Sequence, residues 1–116
     1  MTQEEKELVI KDLCARLPYS GVQIYVSYED GFKYDKTLTY EDVKNYCQLP
    51  ACSTTIVKPY LRPMSSMTEE EEDGYELVCR KSITTQIDWL NKNMFDYRWL
   101  IPKGLAIEAK EGMYKN

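Results

Sequence analysis

The residues of this chain that could do chemistry are few, and their types narrow what that chemistry could be. Histidine is absent, which removes the commonest acid–base side chain and the commonest nitrogen ligand of a metal. A serine or cysteine nucleophile would then depend on lysine or carboxylate as its base, and no local spacing offers that pairing. Ser65-Ser66 stands just before a helix start, where hydroxyls usually serve turns and caps. Asp88 and Asp96 are candidates for a carboxylate pair, but acids at helix ends are the simpler account of both. The five glycines are scattered at turns, and neither G-x-x-x-x-G-K-[ST] nor G-x-G-x-x-G occurs. No catalytic residue, metal ligand or cofactor is expected, and a divalent-metal hydrolase using Asp and Glu is the least favoured reading.

Two runs carry more information. Lys58-Pro59-Tyr60-Leu61-Arg62-Pro63 places two cations around a tyrosine in a proline-stiffened segment, which could grip phosphate or an acidic partner. The plainer account is a rigid crossing segment whose Tyr60 and Leu61 plug the core. Tyr97-Arg98-Trp99 sets an arginine between two large rings, the residue types enriched at binding hot spots. A cation–π clamp internal to the fold explains that triplet equally well. Tyr97, Arg98, Trp99, Lys58, Tyr60 and Arg62 are therefore the candidate interaction surface.

The cysteines are Cys14, Cys47, Cys52 and Cys79. A zinc site would need all four to converge, and the spacing of Cys47 and Cys52 is outside the usual paired knuckles. Buried thiols are expected instead, because reduced cysteine packs as a small hydrophobe.

The elements that must hold these residues can be read from caps and periodicity. Thr2 with Glu5 makes a capping box for a helix over residues 3–17, with Ile10, Leu13, Cys14 and Leu17 inward and Glu4, Glu7, Lys11 and Arg16 outward. Val22, Ile24, Val26 and Tyr28 alternate with polar residues as a half-buried strand. A three-residue loop, Glu29-Asp30-Gly31, would pair Tyr28 with Phe32, Val26 with Tyr34 and Val22 with Leu38, and would keep the apolar faces together. Thr39 with Asp42 caps a short helix over 40–47, with Leu38 and Val43 spaced as a hydrophobic staple.

Residues 48–53 read as loop. The stretch through Ile56, Lys58 and Tyr60 is extended, but Pro59 and Pro63 argue for an edge or a crossing segment rather than a central strand. Thr68 and Glu71 cap another helix, whose run of five acids, Glu69–Asp73, suits the dipole of a first turn. Tyr75, Val78 and Cys79 are its inner face. Ile83, Ile87, Leu90 and Met94 share one face of a helix starting near Thr84 or Thr85. Asp96 would cap one further turn, Tyr97–Ile101, ahead of Pro102 and Gly104. Leu105–Glu108 then closes the chain as a short strand. The expected fold is α+β over residues 1–116 as one domain, a small, mostly antiparallel sheet packed on one face by three to five helices.

Bulk properties exclude several classes. The 116 residues are 43% hydrophobic and 29% charged, as in an ordinary globular chain. The formal charge of −4 is spread evenly, with seven basic and nine acidic residues through Lys58 and eight and ten after it. Neither half has the basic footprint of a nucleic-acid binder. No apolar run approaches a membrane span and no secretory leader is evident, so a cytoplasmic chain with reduced thiols is expected. Ten tyrosines against two phenylalanines suit half-buried positions and contact surfaces.

Three segments resemble a family. Asp12-Leu-Cys-Ala-Arg-Leu-Pro-Tyr, the run from Lys58 through Glu71, and Asp88-Trp-Leu-Asn with Phe95-Asp-Tyr-Arg and Lys103-Gly-Leu-Ala are similar to small uncharacterised proteins of gut Bacteroidales and their phages and prophages. The likeness spans most of the chain. It implies a mobile-element origin and an intracellular life, and no activity. Met94 and Trp99 stand where that family often carries His and Gly, so a histidine-based site does not carry over. The expectation is a non-enzymatic interaction or accessory module whose partner is a host or phage protein, with nucleic-acid association through Lys58, Tyr60 and Arg62 as the alternative.

Overall fold

The computed structural model describes residues 2–19, 21–50 and 53–114. Helices α1 (Gln3–Arg16), α2 (Tyr40–Gln48), α3 (Glu69–Cys79) and α4 (Ile83–Lys92) combine with strands β1 (Gln23–Ser27), β2 (Lys33–Thr37), β3 (Ile56–Leu61) and β4 (Ile107–Glu108). The fold is α+β. The sheet order is β2-β1-β3-β4, antiparallel except for the short parallel pairing of β3 with β4.

Local chemistry sets the starts of the helices. Thr2, Thr39 and Thr68 each accept from the backbone N–H three residues on, while the side chains of Glu5, Asp42 and Glu71 return the bond. Ser82 caps α4 through Thr85 N–H. The hairpin takes the three-residue loop. Val26 faces Tyr34, Tyr28 N–H donates to Phe32 C=O and Leu38 N–H to Val22 C=O, and Gly31 sits at φ 89°. That left-handed conformation costs glycine little.

The core lies between the sheet and the first two helices. Ile24, Val26, Val57 and Leu61 meet Val9 and Leu13 of α1 and Val43 and Tyr46 of α2, closed by Met94, Leu100 and Leu105. The opposite face of the sheet carries Tyr25, Asp35, Lys58 and Tyr60.

Several expectations are corrected. β3 is interior despite Pro59. Since Tyr28 and Val22 bond to β2, the even residues of β1 point their backbone polar groups that way. Ile24 opposite Pro59 is then a non-bonded pair. The missing N–H faces away from β1, and pairing with β4 begins only at Tyr60, so no ladder bond is lost.

The buried stripe of α1 is Val9, Asp12, Leu13 and Arg16. Arg16, expected outside, is fully buried, and Cys14 is exposed. Cys47 and Cys79 are exposed as well, against the expectation of buried thiols. The expectation for Cys52 lies outside the described residues. Ile83, expected on the inner face, is the first residue of α4 and is exposed.

Candidate functional site

The site grows from the segment after α4. Arg62 extends β3 by one residue. Its N–H donates to Met94 C=O at 2.7 Å, and its C=O accepts from Asp96 N–H at 2.8 Å. This lays residues 94–96 alongside the sheet and aims the loop beyond them. Met94 adopts φ 61° and turns the chain out of α4. Asp96, 2% exposed, accepts from Leu100 N–H at 2.8 Å and from Ile101 N–H at 2.9 Å. It caps a tight irregular loop over 97–101 rather than the helical turn expected there.

The triplet Tyr97-Arg98-Trp99 is divided in two by this loop. Arg98 points inward, donating from Nη1 to Asp12 Oδ1 at 2.7 Å with its guanidinium 4.6 Å from the centre of the Tyr97 ring. The Tyr97 hydroxyl donates to Asn91 Oδ1 at 2.9 Å. Asp12 also receives Arg16 Nε at 2.9 Å and Nη2 at 3.1 Å, and Arg16 Nη2 reaches Phe95 C=O at 2.6 Å. Two arginines thus share one fully buried carboxylate, tying α1 to the loop. Arg16 Nη1 is buried with no hydrogen-bond partner among the described residues, the mark of a network held for geometry more than for complete satisfaction.

Trp99 points outward. Its neighbours are pinned, Arg98 by Asp12 and fully buried Leu100 by Asp96, while the indole itself is 60% exposed. Its backbone sits at φ 59°, a conformation unusual for any bulky residue. No ring stacks on it and its Nε1–H meets no acceptor among the described residues. It borders an open apolar cleft of about 280 Å³ lined by Pro63, Met64, Ile101 and Pro102.

The residues of the second run are not brought into this site as contacts for a ligand. Arg62 forms a two-pronged ion pair with Glu71, at 2.7 and 2.6 Å, and lies 4.3 Å over the Phe95 ring. These bonds from Arg62 draw the Glu71 carboxyl down from 4.5 to about 2. The Tyr60 hydroxyl donates to Asp35 at 2.7 Å, and the residue is 4% exposed. Burial first, then that bond, pushes Tyr60 up to about 12. Lys58 stands apart, opposite Tyr25 on the open face of the sheet. Two of the three residues of the alternative surface, Tyr60 and Arg62, are therefore spent on internal partners, and Tyr60 and Leu61 sit in the interior as the plainer account had it.

Two features went unread in the sequence. One is the Asp12–Arg16–Arg98 network, whose only sequence signal is the i,i+4 spacing of Asp12 and Arg16, ordinarily a surface pair. The other is an aromatic cluster at the hairpin tip, where the rings of Tyr28, Phe32 and Tyr34 lie 5.5 to 6.4 Å apart. The pairing of Tyr28 with Phe32 foreshadowed it. Tyr28 stacks on Phe32 while Tyr34 is tilted to both, and the hydroxyls of Tyr28 and Tyr34 bond to one another at 2.9 Å, with Phe32 left exposed at the tip. Among the described residues no group of three His, Cys, Asp or Glu side chains is placed to hold a metal ion. No helix there is long and apolar enough to cross a membrane.

The chain matches no protein-family model, no curated protein and no solved structure. The geometry alone thus defines the class of site: an exposed tryptophan fixed beside an apolar surface cleft.

Proposed function

We propose that this protein is a non-enzymatic interaction module that docks a partner protein through Trp99. The observation that carries the reading is the exposed indole at φ 59°, clamped between Arg98 and Leu100. A bulky residue in that conformation costs about 1–3 kcal/mol and persists only where its surroundings over-determine it; such strain clusters at functional sites. Tryptophan is also among the residue types most enriched at interface hot spots. Arg98 and Tyr97 are positioning residues in this reading, and Trp99 makes the contact. The resemblance to small proteins of gut Bacteroidales and their phages favours a host or phage protein as the partner, and since that family often carries Gly where Trp99 stands, contact through the ring would be particular to this chain.

The test is capture of the tagged protein and of its Trp99→Gly variant, side by side, from Bacteroidales lysates with and without phage infection. Glycine is at ease at φ 59°, so this substitution removes the ring without disturbing the loop, and thermal unfolding at or above the wild-type temperature verifies that. A partner held by the wild type and lost by the folded variant is the expected result. A partner retained by the variant, or no partner in either lysate, overturns the reading.

A further inference from the structure

We infer that the cleft beside Trp99 takes a proline-rich segment in the polyproline II conformation, flanked by arginine or lysine. The inference rests on the docking role of Trp99 and names the chemistry of what docks.

Shape comes first. The cleft of about 280 Å³ is walled by Trp99, Pro63, Met64, Ile101 and Pro102. It opens at the surface and falls just under the range of about 300–1,000 Å³ typical of pockets that enclose a small molecule. Apolar walls of this size suit one or two side chains of a surface-lying peptide.

Backbone comes second. A peptide adding to the sheet as a strand would find only the two residues of β4 at this edge, too few to supply a ladder. A polyproline II peptide asks for no ladder. Its carbonyls are solvated and can be met singly, and aromatic grooves are its usual docking surface. The Trp99 Nε1–H has no acceptor among the described residues and the ring is 60% exposed, so it can donate to such a carbonyl. The ligand's conformation is largely preformed, so little ordering entropy opposes binding.

Charge comes third. Pro63, Ser65 and Glu108 belong both to this cleft and to an adjoining polar one of about 360 Å³. The two cations lining the polar cleft are engaged, Arg62 by Glu71 and Lys110 by Asp35. Lys110 stays 65% exposed within its pair, but Glu108 and Glu111, outside any ion pair among the described residues, leave the lining with its ion-pair partners net negative, which favours a cation following the prolines into it.

The probes are three synthetic peptides: two arginines joined to a hexaproline run, two glutamates on the same run, and two arginines on a Gly-Ser run of equal length. The readout is the indole N–H resonance of Trp99, assigned by its loss in Trp99→Gly. The arginine–proline peptide is expected to shift that resonance saturably. The glutamate version should bind at least about tenfold more weakly, since like charges placed in a site exclude a ligand. Glu108→Gln should narrow that gap.

Absence of a saturable shift at millimolar arginine–proline peptide overturns the inference. So does equal binding of the Gly-Ser peptide, or a peptide affinity for Trp99→Gly, read by calorimetry, that matches the wild type. If capture of a partner depends on Trp99 while these peptides fail, only the proline-rich chemistry is refuted and the docking role stands.

Discussion

Replacing Asp12 by alanine isolates the device that holds Trp99 outward. Asp12 is fully buried and receives Arg16 Nε and Nη2 and Arg98 Nη1 within 3.1 Å. Its removal strands Arg16, itself fully buried, with Phe95 C=O at 2.6 Å as its remaining acceptor among the described residues. Breaking a buried ion pair from one side costs about 3–5 kcal/mol, against a total stability of about 5–15 kcal/mol for a domain. With a urea m-value near about 2 kcal/mol/M, the midpoint should fall by roughly 2 M.

Arg98→Ala should cost less, about 1.5–3 kcal/mol, because Arg98 keeps 16% exposure and leaves Asp12 paired with Arg16. Asp12→Leu with Arg16→Met should be markedly less destabilised than Asp12→Ala, since it leaves no fully buried charge and strands only the partly exposed Arg98. The non-additivity is the signature of the network. Equilibrium urea unfolding followed by circular dichroism measures these proteins together with Asp12→Leu and Arg16→Met alone. A cost below about 1 kcal/mol for Asp12→Ala, or a double variant as damaged as the sum of its parts, would refute the reasoning.

Two further predictions concern single bonds and pH. The Tyr114 hydroxyl accepts from Gln23 N–H at 2.9 Å and donates to Tyr60 C=O at 2.6 Å, standing in for a ladder bond between β1 and β3, so Tyr114→Phe should cost about 1–3 kcal/mol in urea unfolding. Burial raises Tyr114 from 10 to about 12, so the unfolded chain releases this proton first. Stability present below pH 10 is lost as pH rises towards 12, and the variant should lose less over that interval. On the acid side Glu71 is drawn down from 4.5 to about 2 by Arg62, so its contribution is present above pH 4.5 and disappears as pH falls to 2. That loss is at most about 3 kcal/mol, less whatever solvent screening removes, and Glu71→Gln should flatten this part of the pH–stability curve measured by thermal unfolding.

Much of the fold was legible because its signals are local. Three capping boxes fixed three helix starts, since the bonds involved span three residues. The loop Glu29-Asp30-Gly31 fixed the hairpin register, since only that length kept Val26 and Tyr34 on one face. The candidate site was legible only in part. Tyr97-Arg98-Trp99 did mark the loop that presents an exposed ring. Its division into two inward residues and one outward one depends on Asp12, 86 positions away.

Which of the two accounts of Arg62 and Tyr60 holds was hidden for the same reason. Their partners, Glu71 and Asp35, lie across a turn and across a strand, at distances no periodicity encodes. The burial of Arg16 and the exposure of Cys14 reversed a pattern read from hydrophobicity alone, because a paired and hydrogen-bonded charge can be buried where a lone one cannot.

Residue type and short-range spacing were enough for the α+β class, the caps, the hairpin and the absence of histidine chemistry. They were not enough for three other features: the passage of β3 through the sheet, the buried carboxylate shared by two arginines, and the outward-facing Trp99. Each of these turns on which groups, distant in the chain, find one another once water is excluded. Hydrogen bonding and charge pairing in that interior are set by position in space, and the order of residues along the chain does not record it.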